Sequence, residues 1–529
     1  MKHVITLIAL LFYVTNIFSQ FDEKPSIVIH PPFLSVSPIG VRSNPVEING
    51  YDNIFLGIDF GEAYITTNPR DPLNSICAFN TNGLYYTIDG FNWIRNTPQF
   101  PGYSILGDPV MTFDSLGNCI YATLYQNGPT YGTVVMKTTN KGLNWIGPYN
   151  VYSTTVGLVD KEWIAADHTG GPYSNNLYLG WRQYGTTGMR FVRSTNGGVN
   201  WSAPLTIPGT QNAYITVGPN GDIQGGSVYY SATNNNSIVV TRSTDGGETF
   251  LPQVTAAVVD PPGLPCAGRR TVKNCIRMNH IPSFAVDNGY SQTRGNIYGV
   301  YCGNPVGPDN CDIFLIRSTD YGLTWSEGLR VNDDNTITDQ WLPSITVDKH
   351  SGKIFVSWYD SRVDPAANIL TRIYGAVSTN GGLSFLPNDN ISDVSFDPNA
   401  MALSLPGGEK YIGDYYGNSA IGNTSYNVWA DGRNNNLGSY VGFYPDFAMT
   451  VNPVQRSINN GDSTSYSIKI PTIKGTFSEV ITFTAQIDTL PLSGTIQISF
   501  ENDKDSISSI PDSVTLKIRT SGNVTKGIY

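Results

Sequence analysis

Apolar and polar residues alternate in short runs from about residue 60 to about residue 450, which is the two-residue period of half-buried β-strands. The clearest instance is Leu342-Pro343-Ser344-Ile345-Thr346-Val347-Asp348, followed by Gly352 and by Ile354-Phe355-Val356-Ser357-Trp358. A second reads Ile281-Pro282-Ser283-Phe284-Ala285-Val286-Asp287, then Gly295 and Asn296-Ile297-Tyr298-Gly299-Val300. Related pairs of runs start near Asp108-Pro109, Glu162-Trp163, Ala213-Tyr214 and Tyr411-Ile412, with a divergent one near Tyr64-Ile65. Each pair predicts two strands, A and B, joined by a turn.

A second pattern follows these pairs. Ser318-Thr319-Asp320-Tyr321-Gly322-Leu323-Thr324-Trp325 recurs as Ser243 to Phe250, Ser194 to Trp201, Ser378 to Phe385 and Thr138 to Trp145, and in shortened form as Thr87-Ile88-Asp89-Gly90-Phe91-Asn92-Trp93. The residue types suit a tight turn. The short hydroxyl and the Asp or Asn two places later hydrogen-bond the local backbone, and the glycine two further on takes the positive φ that such a turn needs. The closing Trp or Phe buries a ring under the hairpin. Each unit then reads as strand A, turn, strand B, loop, strand C, boxed turn, strand D. Seven A and B pairs stand against six boxes, the last unit being Asn418 to Trp429 followed by Tyr440 to Val451, and Val46 to Ile58 is available to complete it.

The box resembles the Asp-box, or bacterial neuraminidase repeat, of sialidases and related β-propellers. The likeness spans roughly residues 60 to 450 and is specific for the hairpin, not for a reaction, since hydrolases, lectin-like binders and receptors share it. It implies an all-β chain whose repeats form a propeller. The unit count favours seven blades over the six usual in sialidases, and six remain if one unit is a long excursion. Ring closure is needed because an open ring exposes edge strands. From Asn452 the composition changes. Tyr466 to Ile470 and Thr495 to Phe500 alternate without boxes or cysteines and resemble an immunoglobulin-like or fibronectin-like β-sandwich module. The chain stops at Gly527-Ile528-Tyr529, where a further strand is expected, so this module reads as truncated. The expected organisation is a signal peptide over 1–19, an N-terminal segment over 20–43, the propeller over 44–451 and the module over 452–529.

Composition narrows the setting. Met1-Lys2-His3 precedes an apolar run from Val4 to Ile17, and Ile17-Phe18-Ser19 permits cleavage before Gln20, which predicts an exported protein, secreted or at the cell surface. No later segment is long and apolar enough to span a bilayer. Charged residues make up 14% of the chain, and with Gly (54) and Tyr (31) abundant the balance is that of a turn-rich β protein. A net charge of -10 argues against nucleic acid, which requires a basic face, but leaves room for local arginines that grip an anionic sugar. Cys266 and Cys275, and likewise Cys302 and Cys311, are nine apart and predict two small disulfide loops. Cys77 with Cys119 is a candidate third bridge. Zinc is disfavoured by the absence of CxxC spacing, His280 being the only nearby histidine. Asn332-Asp333-Asp334-Asn335 lacks the spacing of a calcium loop. No cofactor and no metal are expected.

Strand direction singles out one face for chemistry. With the boxed turns on one face, the B-to-C loops and the loops leading into each strand A lie on the other, which is also the face sialidases use. Trp358-Tyr359-Asp360-Ser361-Arg362 and Trp429-Ala430-Asp431-Gly432-Arg433 end strands B, as does Trp181-Arg182, and the 266–275 loop carries Arg269, Arg270 and Lys273. Arginine suits bidentate binding of a carboxylate, and the aromatics suit stacking on a sugar. Arg182, Arg362, Arg433, Trp358, Tyr359 and Trp429 are therefore the candidate substrate-binding residues. The repeated Trp-x-Asp-x-Arg equally reads as an intrablade ion pair under an aromatic. Acidic residues precede strand A at Asp108, Asp160, Asp339 and Asp414, with Glu62 a looser match, and a feature repeated round a ring reads first as structural. The sialidase resemblance implies three arginines on the substrate carboxylate, an aspartic acid as acid/base, and a tyrosine nucleophile activated by a glutamate, an exception to the usual two-carboxylate scheme. The family's Arg-Ile-Pro is absent, and Glu62-Ala63-Tyr64-Ile65 stands in its place. Asp339 or Asp160 is the best acid, and Tyr415 or Tyr416 with Glu409 the best nucleophile pair. The expected function is a glycan-acting propeller, most like an exo-sialidase removing terminal acidic sugars with retention. The alternative is a non-catalytic cell-surface propeller that binds a glycan or a protein, and the expected partner is a glycan or glycoprotein.

Overall fold

The computed structural model describes residues 52–525, apart from 81–82, 221, 279–280, 290, 306, 406, 422–423, 454–455, 476–479, 486 and 488–489. The signal peptide, the segment over 20–43, the start of the closing strand, His280 and the final Gly527-Ile528-Tyr529 lie outside the described residues. Among these residues no helix is long and apolar enough to cross a membrane.

Seven four-stranded antiparallel sheets occupy residues 53 to 444 of the described chain. Their innermost strands are Phe60–Asn68, Ile105–Phe113, Val159–Ala166, Gln211–Asn220, Ser283–Val286, Gln340–Val347 and Gly417–Ile421. Each touches the next in that order, and the last touches the first, so the sheets form a closed seven-bladed ring. The seventh blade takes its outer strand, Asn53–Ile58, from the far end of the chain, where it pairs antiparallel with Gly438–Tyr444. That pairing satisfies an edge that would otherwise stay open.

The boxed turns close as their residue types predict. Ser318 Oγ donates to Asp320 Oδ1 at 2.8 Å and accepts the Gly322 N–H at 2.8 Å. Asp320 accepts the Leu323 and Thr324 N–H groups at 3.1 and 2.9 Å and the Thr324 hydroxyl at 2.6 Å. Gly322 has φ +82°, a conformation that costs a residue with a Cβ. In the Ser243 copy, burial pulls Asp245 upward, but hydrogen bonds from Thr249, Ser243 and Glu248 outweigh it and hold the carboxyl at about 2. Asp320→Ala is expected to lower stability by about 1–2 kcal/mol at neutral pH, measured by chemical denaturation. The closing rings are less buried than the sequence predicts. Trp93 is fully buried, edge-on to Tyr426 of blade 7 at 5.8 Å, whereas Trp201, Phe250 and Trp325 are only partly covered.

Two long connections add a further layer. Leu264–Cys266, Arg269–Val272 and Ile276–Arg277, between blades 4 and 5, join Leu403–Ser404 and Lys410–Tyr411, between blades 6 and 7, in one five-stranded sheet. The link is a parallel pairing of Ile276 with Lys410. Both connections run into innermost strands, so this cap lies at the face where those strands begin. The Cys266–Cys275 disulfide closes its first arm. The second expected bridge is not formed: Cys302 and Cys311 are buried thiols with sulfurs 3.2 Å apart, and Cys302 also lies 3.2 Å from the Gln340 carbonyl. Cys77 and Cys119 sit unbridged in the second strands of blades 1 and 2.

Beyond the ring, Thr450–Asn452, Ser463–Ile470, Asp512–Ser521 and Thr495–Phe500 form a four-stranded antiparallel sheet. It shares a small core of Ile470, Ile481, Ile507 and Val514 with a short strand pair, Ile481–Thr482 and Ser506–Ile507.

Candidate functional site

Several innermost strands begin with the same irregularity. Glu62, Asp108, Lys161, Asn212 and Leu342 all have φ between 49° and 63°. At each, the register to the second strand slips, as between Phe60 and Tyr64 in blade 1 and between Asp160 and Trp163 in blade 3. Such bulges re-aim side chains that a regular strand would send into the sheets. Their effect here is to gather ionisable groups from separate blades at one end of the ring.

Glu62 of blade 1 accepts hydrogen bonds from the Asn80 amide and from the Tyr411 hydroxyl of the cap. Gly413, with φ +112°, makes this approach feasible, because a Cβ there would lie 2.5 Å from the Glu62 nitrogen. Asp108 of blade 2 donates its N–H to Asn80 Oδ1 at 3.0 Å, and its Oδ2 lies 3.3 Å from the Lys161 N–H. Asp160 of blade 3 accepts from the Tyr184 hydroxyl at 3.2 Å and the Gln211 amide at 3.3 Å. Asp414, leading into blade 7, is ion-paired with Arg277 of the cap, whose guanidinium stacks 4.8 Å from the Tyr411 ring centroid. Lys161 Nζ lies 3.2 Å from the Tyr415 ring centroid and 4.8 Å from that of Trp163. Beneath the cluster the ring is filled by aromatics, with Trp163 stacked on Tyr214 at 3.9 Å and Tyr64 edge-on to Trp163 at 5.2 Å.

Burial, and after it crowding of like charge, sets the protonation. Burial, then the Asp108 and Asp414 carboxylates, push Glu62 well above the usual carboxylate range. Burial and Asp108 do the same to Glu162, whose two oxygens have no hydrogen-bond partner. Burial and Asp108 also raise Asp160, with Arg277 opposing, to about 6. Unlike Glu62, Asp160 keeps some solvent access. Burial lowers Lys161 despite four surrounding carboxyl groups. The Tyr411 phenol is raised by burial and by Asp414 and Glu62. A buried, partly protonated acid cluster with one member near 6 can donate and take back a proton at mildly acidic to neutral pH. Among the described residues no group of three or more His, Cys, Asp or Glu is arranged to hold a metal ion.

The sequence candidates scatter. Asp160 and Tyr415 are in the cluster, although Tyr415 donates its hydroxyl to the Pro109 carbonyl at 3.3 Å and lies under Lys161. Glu409 is ion-paired with Arg269 at 2.7 Å and makes no hydrogen bond to Tyr415 or Tyr416. Asp339 is tied to Lys273 at 2.7 Å and to Asn368 at 3.1 Å. The arginines do not converge. Arg362 binds Asp360 at 2.8 Å and Asp333 at 2.6 Å and covers Tyr374, while Arg433 binds Asp431 and Asp393, each at 2.8 Å, and covers Tyr440. Arg182 donates to the carbonyls of Thr186 and Gly188. Trp358 and Trp429 are buried and donate to Asp360 and Asp431 at 2.7 and 2.9 Å, and buried Tyr359 donates to the Ala430 carbonyl at 2.9 Å. The Trp-x-Asp-x-Arg repeat is thus an intrablade ion pair, and its aromatics offer no face to a sugar. Tyr411, Arg277, Lys161 and Glu162 were not singled out by sequence. One signal was present: glycine precedes the acid in Gly61-Glu62, Gly107-Asp108 and Gly413-Asp414.

No protein-family model and no curated protein sequence matches the chain. Among solved structures, a Hadza microbial sialidase is similar at 12% identity and a TM-score of 0.34, over 70% of this chain and 73% of that one. A variant of the NanB sialidase from Streptococcus pneumoniae is similar at 10% identity and a TM-score of 0.38, over 68% and 74%. An α-L-arabinanase from Penicillium chrysogenum complexed with arabinobiose is similar at 13% identity and a TM-score of 0.38, over 65% and 94%. These likenesses are too remote to assign chemistry, which rests on the site itself.

Proposed function

We propose that this chain is an exported glycoside hydrolase whose reaction takes place at the carboxyl cluster under the cap. The observation that carries this reading is Asp160, raised to about 6 and still reached by solvent, beside a second carboxyl, Asp108. Cleavage of an acetal needs a proton on the departing oxygen and a carboxylate facing the sugar carbon as positive charge develops there. Asp160 supplies the first and Asp108 the second. Glu62, backed by Asn80 and Tyr411, holds the site's charge in check. The C-terminal sheet serves as a spacer.

A second reading, an exo-sialidase acting on terminal acidic sugars with retention, is favoured by one contact. The Tyr411 hydroxyl donates to Glu62 beside Arg277, which is the combination of tyrosine, glutamate and arginine that such chemistry uses, built from residues other than Tyr415 and Glu409. It requires Arg277 to exchange Asp414 for the substrate. The test common to both readings is a panel of aryl glycosides and natural oligosaccharides, with a glycan-binding array in parallel. Turnover that disappears in Asp160→Asn supports a hydrolase. Array binding without turnover supports the non-catalytic propeller.

A further inference from the structure

We infer that the sugar unit accepted by this site carries no negative charge, a neutral or amino sugar in place of a uronic or sialic acid. The inference deepens the hydrolase reading above and rests on it for the position of the site. Recognition of a sugar carboxylate needs a guanidinium or ammonium with hydrogen-bonding capacity directed at the ligand. Among the described residues, the arginines near the cluster are paired or bonded to backbone carbonyls, and the lysine is buried. Arg277 is paired with Asp414, the two side chains being 3% and 9% exposed. Arg269 is paired with Glu409 at 2.7 Å. Arg270 donates to the Gly263 carbonyl at 3.0 Å, and Arg182 to the carbonyls of Thr186 and Gly188. Lys161 Nζ has no hydrogen-bond partner but is buried against the Tyr415 ring, and its ammonium form is disfavoured by that burial.

Negative charge is already disfavoured at this position, by burial first and then by Asp108. Glu62, Asp108, Asp160, Glu162 and Asp414 lie around Lys161 and Arg277, and three of these five carboxyls are already held above their usual range. A further carboxylate brought within about 5 Å of the Asp108 carboxylate, which already raises Glu62, Asp160 and Glu162, meets a repulsion worth about a hundredfold in affinity at the effective dielectric of a partly buried site. Breaking the Arg277–Asp414 pair to bind it would leave Asp414 buried without its counter-charge. A neutral sugar meets neither cost. Its hydroxyls find acceptors in the carboxyl oxygens, and an amino sugar gains attraction as well.

The test uses the full chain and reads turnover and binding separately. Turnover is measured on aryl glycosides of neutral pentoses and hexoses, on an aryl glucuronide and on methylumbelliferyl sialoside. Binding is measured by calorimetry with a hydroxylated piperidine, a cationic mimic of a neutral sugar, and with a didehydro sialic acid. The inference expects kcat/KM for a neutral glycoside, or affinity for the piperidine, to exceed the acidic counterpart by about a hundredfold. Faster turnover of the sialoside or tighter binding of the sialic acid mimic overturns it and restores the sialidase reading. Piperidine binding without turnover of any glycoside upholds the inference while the hydrolase reading fails. Absence of both binding and turnover overturns both.

Discussion

Asp160→Asn is expected to reduce turnover of a glycoside with a poor leaving group by about 10²- to 10⁴-fold, the usual contribution of a positioned general acid, and at the same time to stabilise the protein. The kinetic part follows from the proton. Asp160 is held at about 6 by burial and by Asp108 and Asp414, with Arg277 in opposition. A general acid works in its protonated form, so the wild-type rate is expected to fall as pH rises through about 6, and this alkaline limb disappears in the variant. An aryl glycoside with a good leaving group needs less proton donation and loses less rate. The stability part follows from the same shift. A carboxyl whose folded pKa lies above its unfolded value binds more protons in the native state between about pH 4 and 6. Stability therefore falls as pH rises across that window, and the penalty is complete above it. Asparagine carries no such penalty and retains partners in Tyr184 and Gln211, so a gain of about 1–2 kcal/mol at pH 7, after discounting for solvent access, is expected from denaturant titration. Less activity together with more stability marks a group held in an unfavourable environment for function. An Asp160→Asn variant with full activity on the poor leaving group overturns its role as the acid.

The legibility of this chain in its sequence divides along a physical line. The strands, the boxed turns and the closing strand depend on local alternation, on turn chemistry and on counting units, all written in contiguous residues. Residues Ser318 to Trp325 specify their hairpin without help from elsewhere, and the count of seven units left Val46 to Ile58 available to complete the last blade, where Asn53–Ile58 pairs with Gly438–Tyr444. The site depends on which blades bring which residues together, and that is not local. The repeated acids ahead of the innermost strands read as structural because they repeat, yet Glu62, Asp108, Asp160 and Asp414 converge by repeating, since blades 1, 2, 3 and 7 present the same position to one centre. Asp339 has the same sequence context but faces Lys273 instead. The cap was least legible. Its parallel pairing of Ile276 with Lys410 joins residues far apart in sequence, and it is this pairing that sets Arg277 and Tyr411 beside Glu62 and Asp414. Arg362 and Arg433 attracted attention for their chemistry, and each turned out to be satisfied two residues away by Asp360 or Asp431.

Two buried ion pairs, similar in sequence context, are expected to behave differently when broken. Asp414→Ala leaves the Arg277 guanidinium, whose side chain is 3% exposed, without its carboxylate, and removing one partner of a buried pair costs about 3–5 kcal/mol. Asp339→Ala does the same to Lys273, whose side chain is fully buried, and a loss of similar size, about 3 kcal/mol, is expected. Burial already lowers Lys273 while Asp339 restores it, so the lysine has the option of shedding its proton, which arginine lacks, and its loss should be the smaller of the two. Activity separates the pairs further. Arg277 counts among the charges that set Asp160, its attraction opposing the upward push of burial. Asp414→Ala removes one repelling carboxylate and frees that arginine, so the alkaline limb of the pH profile should move below about 6, in addition to the loss of stability. Asp339 is instead engaged by Lys273 and Asn368, and Asp339→Ala assayed well below its unfolding midpoint should keep both the rate and the limb. Replacing both members of the first pair, Arg277→Met with Asp414→Leu, is expected to recover most of the stability and to return the limb to about 6 or above, because the Arg277 attraction that lowers Asp160 outweighs the Asp414 repulsion removed with it. That outcome would assign the pair to tuning of the acid, whereas an unmoved limb in Asp414→Ala would make it a structural pair like Lys273 with Asp339.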